Sequence, residues 1–144
     1  SNSVAIEVKS VSNLDKKSVS ISSEHQLESN LDQLYLRVYS IVKSSVAVEN
    51  SVNLNRIINN ISKQLDINER ARFDEKLIEC GYVPNEKYDE LNYRVELLNN
   101  YEITENFPKL TSSSLANGVL NVKYDIDLNK IESFSVELPN NIMD

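Results

Sequence analysis

Apolar and polar positions alternate from the first residues onward. In "SVAIEVKS", Val4, Ile6 and Val8 interleave with Ala5, Glu7 and Lys9, the period-two signature of a strand. "VSNLDKK" is polar and turn-like, and "SVSIS" reads as a second short strand. Ser22-Ser23-Glu24 offers hydroxyl caps and an early acidic residue, which predicts a short helix over "SEHQLESNL". In "LYLRVYSIV", Leu34, Leu36, Val38 and Ser40 form one row and Tyr35, Arg37, Tyr39 and Ile41 the other. Both rows carry large groups, which predicts a central strand.

The period then changes. Leu54, Ile57, Ile58, Ile61 and Leu65 recur at helical spacing and form one apolar stripe, read as core packing. A second helix is expected from about Asn68, capped by that residue, with Glu69 in its first turn and Phe73, Leu77 and Cys80 on its inner side. Gly81 follows where a left-handed residue closes a helix. "YRVELLNNYEI" reads as extended or hairpin, Pro108 restricts the residue before it, and Asn117-Gly118 is a turn signal. "VLNVKYDIDL" and "ESFSVEL" alternate again. A small antiparallel sheet is therefore expected over 119–137, with Val122 and Ile126 more buried than Asp125 and Asp127. "PNNIMD" carries no periodic signal.

This pattern places the chain in the α/β or α+β class, divided at 4–49, 50–82 and 83–144. The length of 144 residues fits one domain, and 40% hydrophobic content suffices for a core. Fifteen Lys and Arg against 22 Asp and Glu give a net charge of −7, which weighs against a general nucleic-acid binder but leaves room for a local basic surface. No run is long enough to span a bilayer and no export signal is visible, so a cytoplasmic location is expected. The lone Cys80 is expected to be a buried thiol. One cysteine and one histidine, His25, do not make a zinc site, and two glycines do not make a phosphate loop.

The chemistry concentrates at the start. Glu7 and Lys9 share a strand face, while Ile6 and Val8 are expected to anchor the opposite one. Glu7 can give an oxygen to magnesium or manganese, and the Val8 carbonyl can give another. Lys9 can stabilise charge developing on a phosphate or orient the attacking water. Gln26 supplies a neutral donor and acceptor able to position water, a Glu7 oxygen or a phosphate. Such a site fits phosphodiester hydrolysis but needs another carboxylate, normally on a preceding strand, and only six residues precede Glu7. The competing reading is a solvated Glu-Lys pair on an ordinary strand and a surface glutamine. Glu24 reads as a helix-start carboxylate. Glu49, Asp66, Asp74 and Glu75 read as exposed. Asp125 and Asp127 read as a polar strand face, with metal binding as the alternative.

The ordered series "IEVKS", "VSISSEHQLE", "LYLRVYSIV", "FDEKLIECGY", "YEITENFPKL" and "GVLNVKYDIDLNKIESFSV" resembles the later part of a PD-(D/E)XK-superfamily protein over most of 4–137. The likeness is to bacterial members encoded near restriction and anti-phage genes. It implies a restriction-endonuclease-like mixed sheet with flanking helices, here incomplete, followed by the C-terminal antiparallel sheet. Glu7 and Lys9 match the second half of the catalytic signature, and Gln26 matches a glutamine on the helix behind the site. The resemblance implies Mg2+- or Mn2+-dependent cleavage of DNA in a complete parent, a restriction or phage-defence role, a homodimer, and a defence-system protein partner. The Pro-Asp half of the signature is missing, and Ser1-Asn2-Ser3 reads as an expression remnant. The chain is therefore expected to be an inactive fragment, with a non-catalytic interaction or nucleic-acid-binding module as the alternative.

Overall fold

The computed structural model describes residues 3–13, 15–44 and 50–138. The order of elements is β1 (Val4–Val11), β2 (Ser18–Ile21), β3 (Gln33–Ser44), β4 (Ser51–Val52), α1 (Leu54–Ser62), α2 (Ile67–Glu79), α3 (Lys87–Glu90), β5 (Asn92–Glu102) and β6 (Tyr124–Asp127). Single 3-10 turns lie at Ser112–Ser114, Leu128–Lys130 and Glu132–Phe134. The chain divides into two compact units, Ser1–Ile41 with Glu96–Asp144, and Val42–Val95.

In the first unit β3 lies between β1 and β5, as its two bulky rows predict. β1 pairs with β3 in parallel, with Glu7 opposite Leu36, Lys9 opposite Val38 and Val11 opposite Ser40. Parallel strands need a long crossover, and residues 12–32 supply it. β2 packs beside β1 but is not its ladder partner. It pairs antiparallel with β6, Val19 against Ile126. The reason is apolar burial: Val19, Ile21 and Ile126 are all buried there.

The small antiparallel sheet expected over 119–137 draws its second strand from elsewhere. β6 finds its partner in β2, and "ESFSVEL" forms a 3-10 turn and then a single bridge from Ser135 to Tyr101. Ile126 is buried and Val122 half-buried, while Asp125 and Asp127 are exposed, as alternation predicts. Asn117-Gly118 does turn, with Gly118 at φ +88° and the Val119 amide donating to the Ala116 carbonyl at 3.1 Å.

The register also inverts one expectation for β1. Residues opposite each other share a sheet face, so Glu7, Lys9 and Val11 lie on the side of Leu36, Val38 and Ser40, which are fully buried. Val8 lies on the other face and is 57% exposed, so it does not anchor a core. Leu27, Ile103, Phe107 and Ile131 complete the buried cluster, with Phe134 edge-on to Phe107 at 5.2 Å.

In the second unit β4 pairs antiparallel with the start of β5. Asn53 caps α1 by accepting from the Arg56 amide at 2.8 Å. Ile58 is the buried centre of its stripe, while Leu54, Ile57 and Ile61 are exposed. Asp66, not Asn68, caps α2: it accepts from the amides of Asn68 and Glu69, and Glu69 accepts from the Asp66 amide at 3.0 Å. Gly81 (φ +79°) ends the helix, with its amide bonding Ile78 and that of Tyr82 bonding Leu77. Cys80 is exposed, not buried, because α2 has no fully buried residue and Phe73 and Leu77 are only half-buried. Asp66→Ala is expected to lower stability by about 1 kcal/mol. Asn68→Ala is expected to leave thermal denaturation nearly unchanged, and the comparison checks which residue is the cap.

Candidate functional site

The inner face of β1 brings Glu7 and Lys9 together, with Lys9 Nζ 3.3 Å from Glu7 Oε1. Their side chains are partly covered, 25% exposed for Glu7 and 14% for Lys9. Gln26 meets them from the crossover. Its Oε1 accepts from Lys9 Nζ at 2.7 Å and from the Ser22 amide at 2.8 Å. The three residues singled out in the sequence thus form one contiguous polar cluster. Both lone-pair positions of the Gln26 oxygen are used, so Gln26 offers an incoming phosphate its NH2 group.

Gln26 stands on a turn rather than on the expected helix. The amide of Gln26 donates to the Ser23 carbonyl at 3.3 Å and that of Glu28 to the His25 carbonyl at 3.2 Å, and no helical run follows. A segment this short nucleates poorly, and its side chains have stronger partners elsewhere. Leu27 is fully buried. Glu24, 6% exposed, accepts from the backbone amides of Asn121 at 3.1 Å and Val122 at 2.9 Å. Glu28 accepts from the Ser112 amide at 2.5 Å, and His25 Nδ1 lies 3.1 Å from Ser112 Oγ and 3.3 Å from Glu28 Oε2. His25 therefore belongs to a loop clasp.

The two carboxylates carry the electrostatics of the turn. The Glu24 carboxyl is held below its ordinary range by its own backbone N–H, then by those of Val122 and Asn121 and by His25, against burial. The Ser112 backbone N–H, then the His25 and Ser112 side chains, lower Glu28 against the same opposing effect. Ser3, through its backbone and then its hydroxyl, lowers Asp32. A depressed folded pKa adds stability that is present above the unfolded value and lost as pH falls through the folded one. The melting temperature is expected to fall with acid below about pH 5. Glu28→Gln should flatten that fall in a pH series of thermal scans.

A metal centre is not assembled by these residues alone. Glu7 gives one carboxylate and Val8 one carbonyl, and among the described residues no three His, Cys, Asp or Glu side chains converge as metal ligands. Asp125 accepts from Ser20 Oγ at 2.5 Å, and Asp127 accepts from the Asn129 amide at 2.9 Å. Asp74 and Glu75 are exposed, and Glu49 lies outside the described residues. The donor set present does not fit a magnesium site by itself. A cleft of about 770 Å³ beside the turn is lined by Leu27, Glu28, Asp32, Phe107 and Lys109, not by the Glu7–Lys9–Gln26 cluster.

The sequence missed Ser22 and Glu24. The Ser22 contribution is a backbone amide, which no residue type announces. The partners of Glu24 lie 97 and 98 residues away.

The chain has a mixed sheet with accompanying helices and a Glu-x-Lys pair on the inner face of one strand, an arrangement consistent with a PD-(D/E)XK-like fold. Residues 1–129 match the family model described as "Putative PD-(D/E)XK family member, (DUF4420)", and the chain belongs to that family. Neither a curated protein nor a solved structure gives a match. No helix among the described residues is long and apolar enough to cross a membrane.

Proposed function

We propose that this chain carries the Glu-x-Lys half of a DNA endonuclease site, with Glu7 and Lys9 as catalytic residues and Gln26 as their partner from the crossover turn. The carrying observation is the position of Lys9 Nζ, shared between Glu7 Oε1 and Gln26 Oε1 on the partly covered inner face of β1. In this reading Lys9 meets the negative charge that grows on a phosphate during hydrolysis. Gln26 donates its NH2 to a phosphate oxygen or to the attacking water. Glu7 and the Val8 carbonyl are the groups available to Mg2+ or Mn2+, and a second carboxylate has to come from outside the described residues. We propose restriction or phage defence as the setting, with DNA as substrate, a homodimer as the cutting form, and a partner protein of the same defence system.

A second reading has its own observation. Glu7 and Lys9 pair with each other, and among the described residues no three His, Cys, Asp or Glu side chains converge as metal ligands, which suits a non-catalytic module that retains the fold and binds nucleic acid or protein. Incubation of DNA with Mg2+ or Mn2+ decides between the two. The 144 residues alone should leave DNA intact, whereas a form of the protein that adds a second carboxylate to the site should cut it and lose that activity on Glu7→Ala. An intact substrate in every condition with the complete, folded protein favours the binding module.

A further inference from the structure

The turn that presents Gln26 is fixed by a residue the cluster itself does not contain. Glu24 is two positions before Gln26, yet its carboxylate leaves the cluster and enters the loop at 121–122. Asn121 there has φ +57°, a left-handed conformation in a residue with a side chain. That conformation aims successive backbone amides at one anion, an arrangement known to bind negative groups. Glu24 Oε1 takes the Asn121 amide and Oε2 the Val122 amide, so each carboxylate oxygen is held. Glu24 is 6% exposed and the next apolar residue of the turn, Leu27, is fully buried. Gln26 lies between these two anchors, and its oxygen closes back on the Ser22 amide while receiving Lys9.

We propose that Glu24 is a positioning residue, which holds Gln26 against Lys9 by clamping its turn to the backbone amides of Asn121 and Val122. This inference rests on the reading of Lys9 and Gln26 as a site, but its geometry stands without DNA cleavage. The loop at 121–122 thereby becomes part of the site's support. Displacement of that loop moves Gln26, and with it the oxygen that orients the lysine. The lowered pKa of Glu24 agrees, since a carboxylate held by several amides stays ionised.

The test reads the Ser22 amide, because that N–H donates to Gln26 Oε1 and reports where the side chain is. On the isotope-labelled 144-residue chain, Gln26→Met should shift the Ser22 amide resonance and speed its hydrogen exchange about tenfold, the effect of losing one hydrogen bond. Glu24→Gln should move the same resonance in the same direction, together with the Gln26 side-chain NH2 signals. The double variant should go no further than Gln26→Met alone. Glu28→Gln, which loosens the turn at its Ser112 clasp, should leave Ser22 in place. Glu24→Asp keeps the charge but shortens the reach, and serves if the amide variant fails to fold. The inference is overturned if Asn121 and Val122 shift in these variants while Ser22 and Gln26 do not, or if Glu28→Gln moves Ser22 equally. Absence of DNA cleavage in the complete protein would sink the nuclease reading and leave this coupling to be judged by its own signals.

Discussion

On the proposed nuclease reading, Lys9→Met is expected to lower the rate of DNA cutting about 10²–10³-fold, the scale of losing one preorganised electrostatic donor. Methionine keeps most of the unbranched stem and removes only the ammonium. Substrate affinity should change little, because a single charge is a small part of the phosphate contacts that hold DNA. The loss should therefore sit in kcat. Lys9→Arg is not expected to restore it. A planar guanidinium places its donors differently from the ammonium that spans 3.3 Å to Glu7 and 2.7 Å to Gln26. Single-turnover cleavage of a plasmid, with thermal scans to establish that each variant is folded, measures both. Cutting by Lys9→Met at the wild-type rate would remove Lys9 from the chemistry and return Glu7–Lys9 to an ordinary ion pair.

The sequence showed this cluster for a local reason. Glu7 and Lys9 are two apart on a strand, so their shared face follows from the pleat whatever the rest of the chain does. Which face it is does not follow locally. Both rows of β1 contain apolar residues, and the parallel register to β3 decides the matter by laying Glu7 and Lys9 beside Leu36 and Val38. On the other row Val8 is exposed rather than a core anchor. The helices were legible through their period and Gly81 through its place after the last turn, whereas the cap at α2 fell to Asp66. Asp66 precedes Asn68 and can also reach the Glu69 amide, so it makes the fuller capping box. The pairing of β2 with β6 was beyond local reading. Ser20 meets Asp125 across 105 positions of sequence, and nothing near "SVSIS" distinguishes that partner from β1. The same holds for Glu24. A carboxylate after two serines looks like a helix start until a distant loop supplies two amides.

Leu36→Ala is expected to lower the folding free energy by about 2–5 kcal/mol, the cost of emptying a leucine-sized site in a packed core. Leu36 is fully buried in β3 and pairs with Glu7 in the register. Strands flank β3 on both sides, so collapse into the cavity is limited. Natural domains hold only about 5–15 kcal/mol in total, so this one change consumes a large share of the margin. Ile67 gives the contrast. It is as hydrophobic but 85% exposed at the start of α2, and Ile67→Ala is expected to stay within about 0.5 kcal/mol. Denaturant titrations of the two variants, with the slope unchanged from wild type, make the comparison. Leu36→Met, which roughly conserves volume, should recover most of the loss and keeps the test readable if the alanine variant does not fold. A cost below about 1 kcal/mol for Leu36→Ala would mean that the row beneath Glu7 and Lys9 is not the packed core. The inward placement of the ion pair, on which the reading of the site depends, would then fall with it.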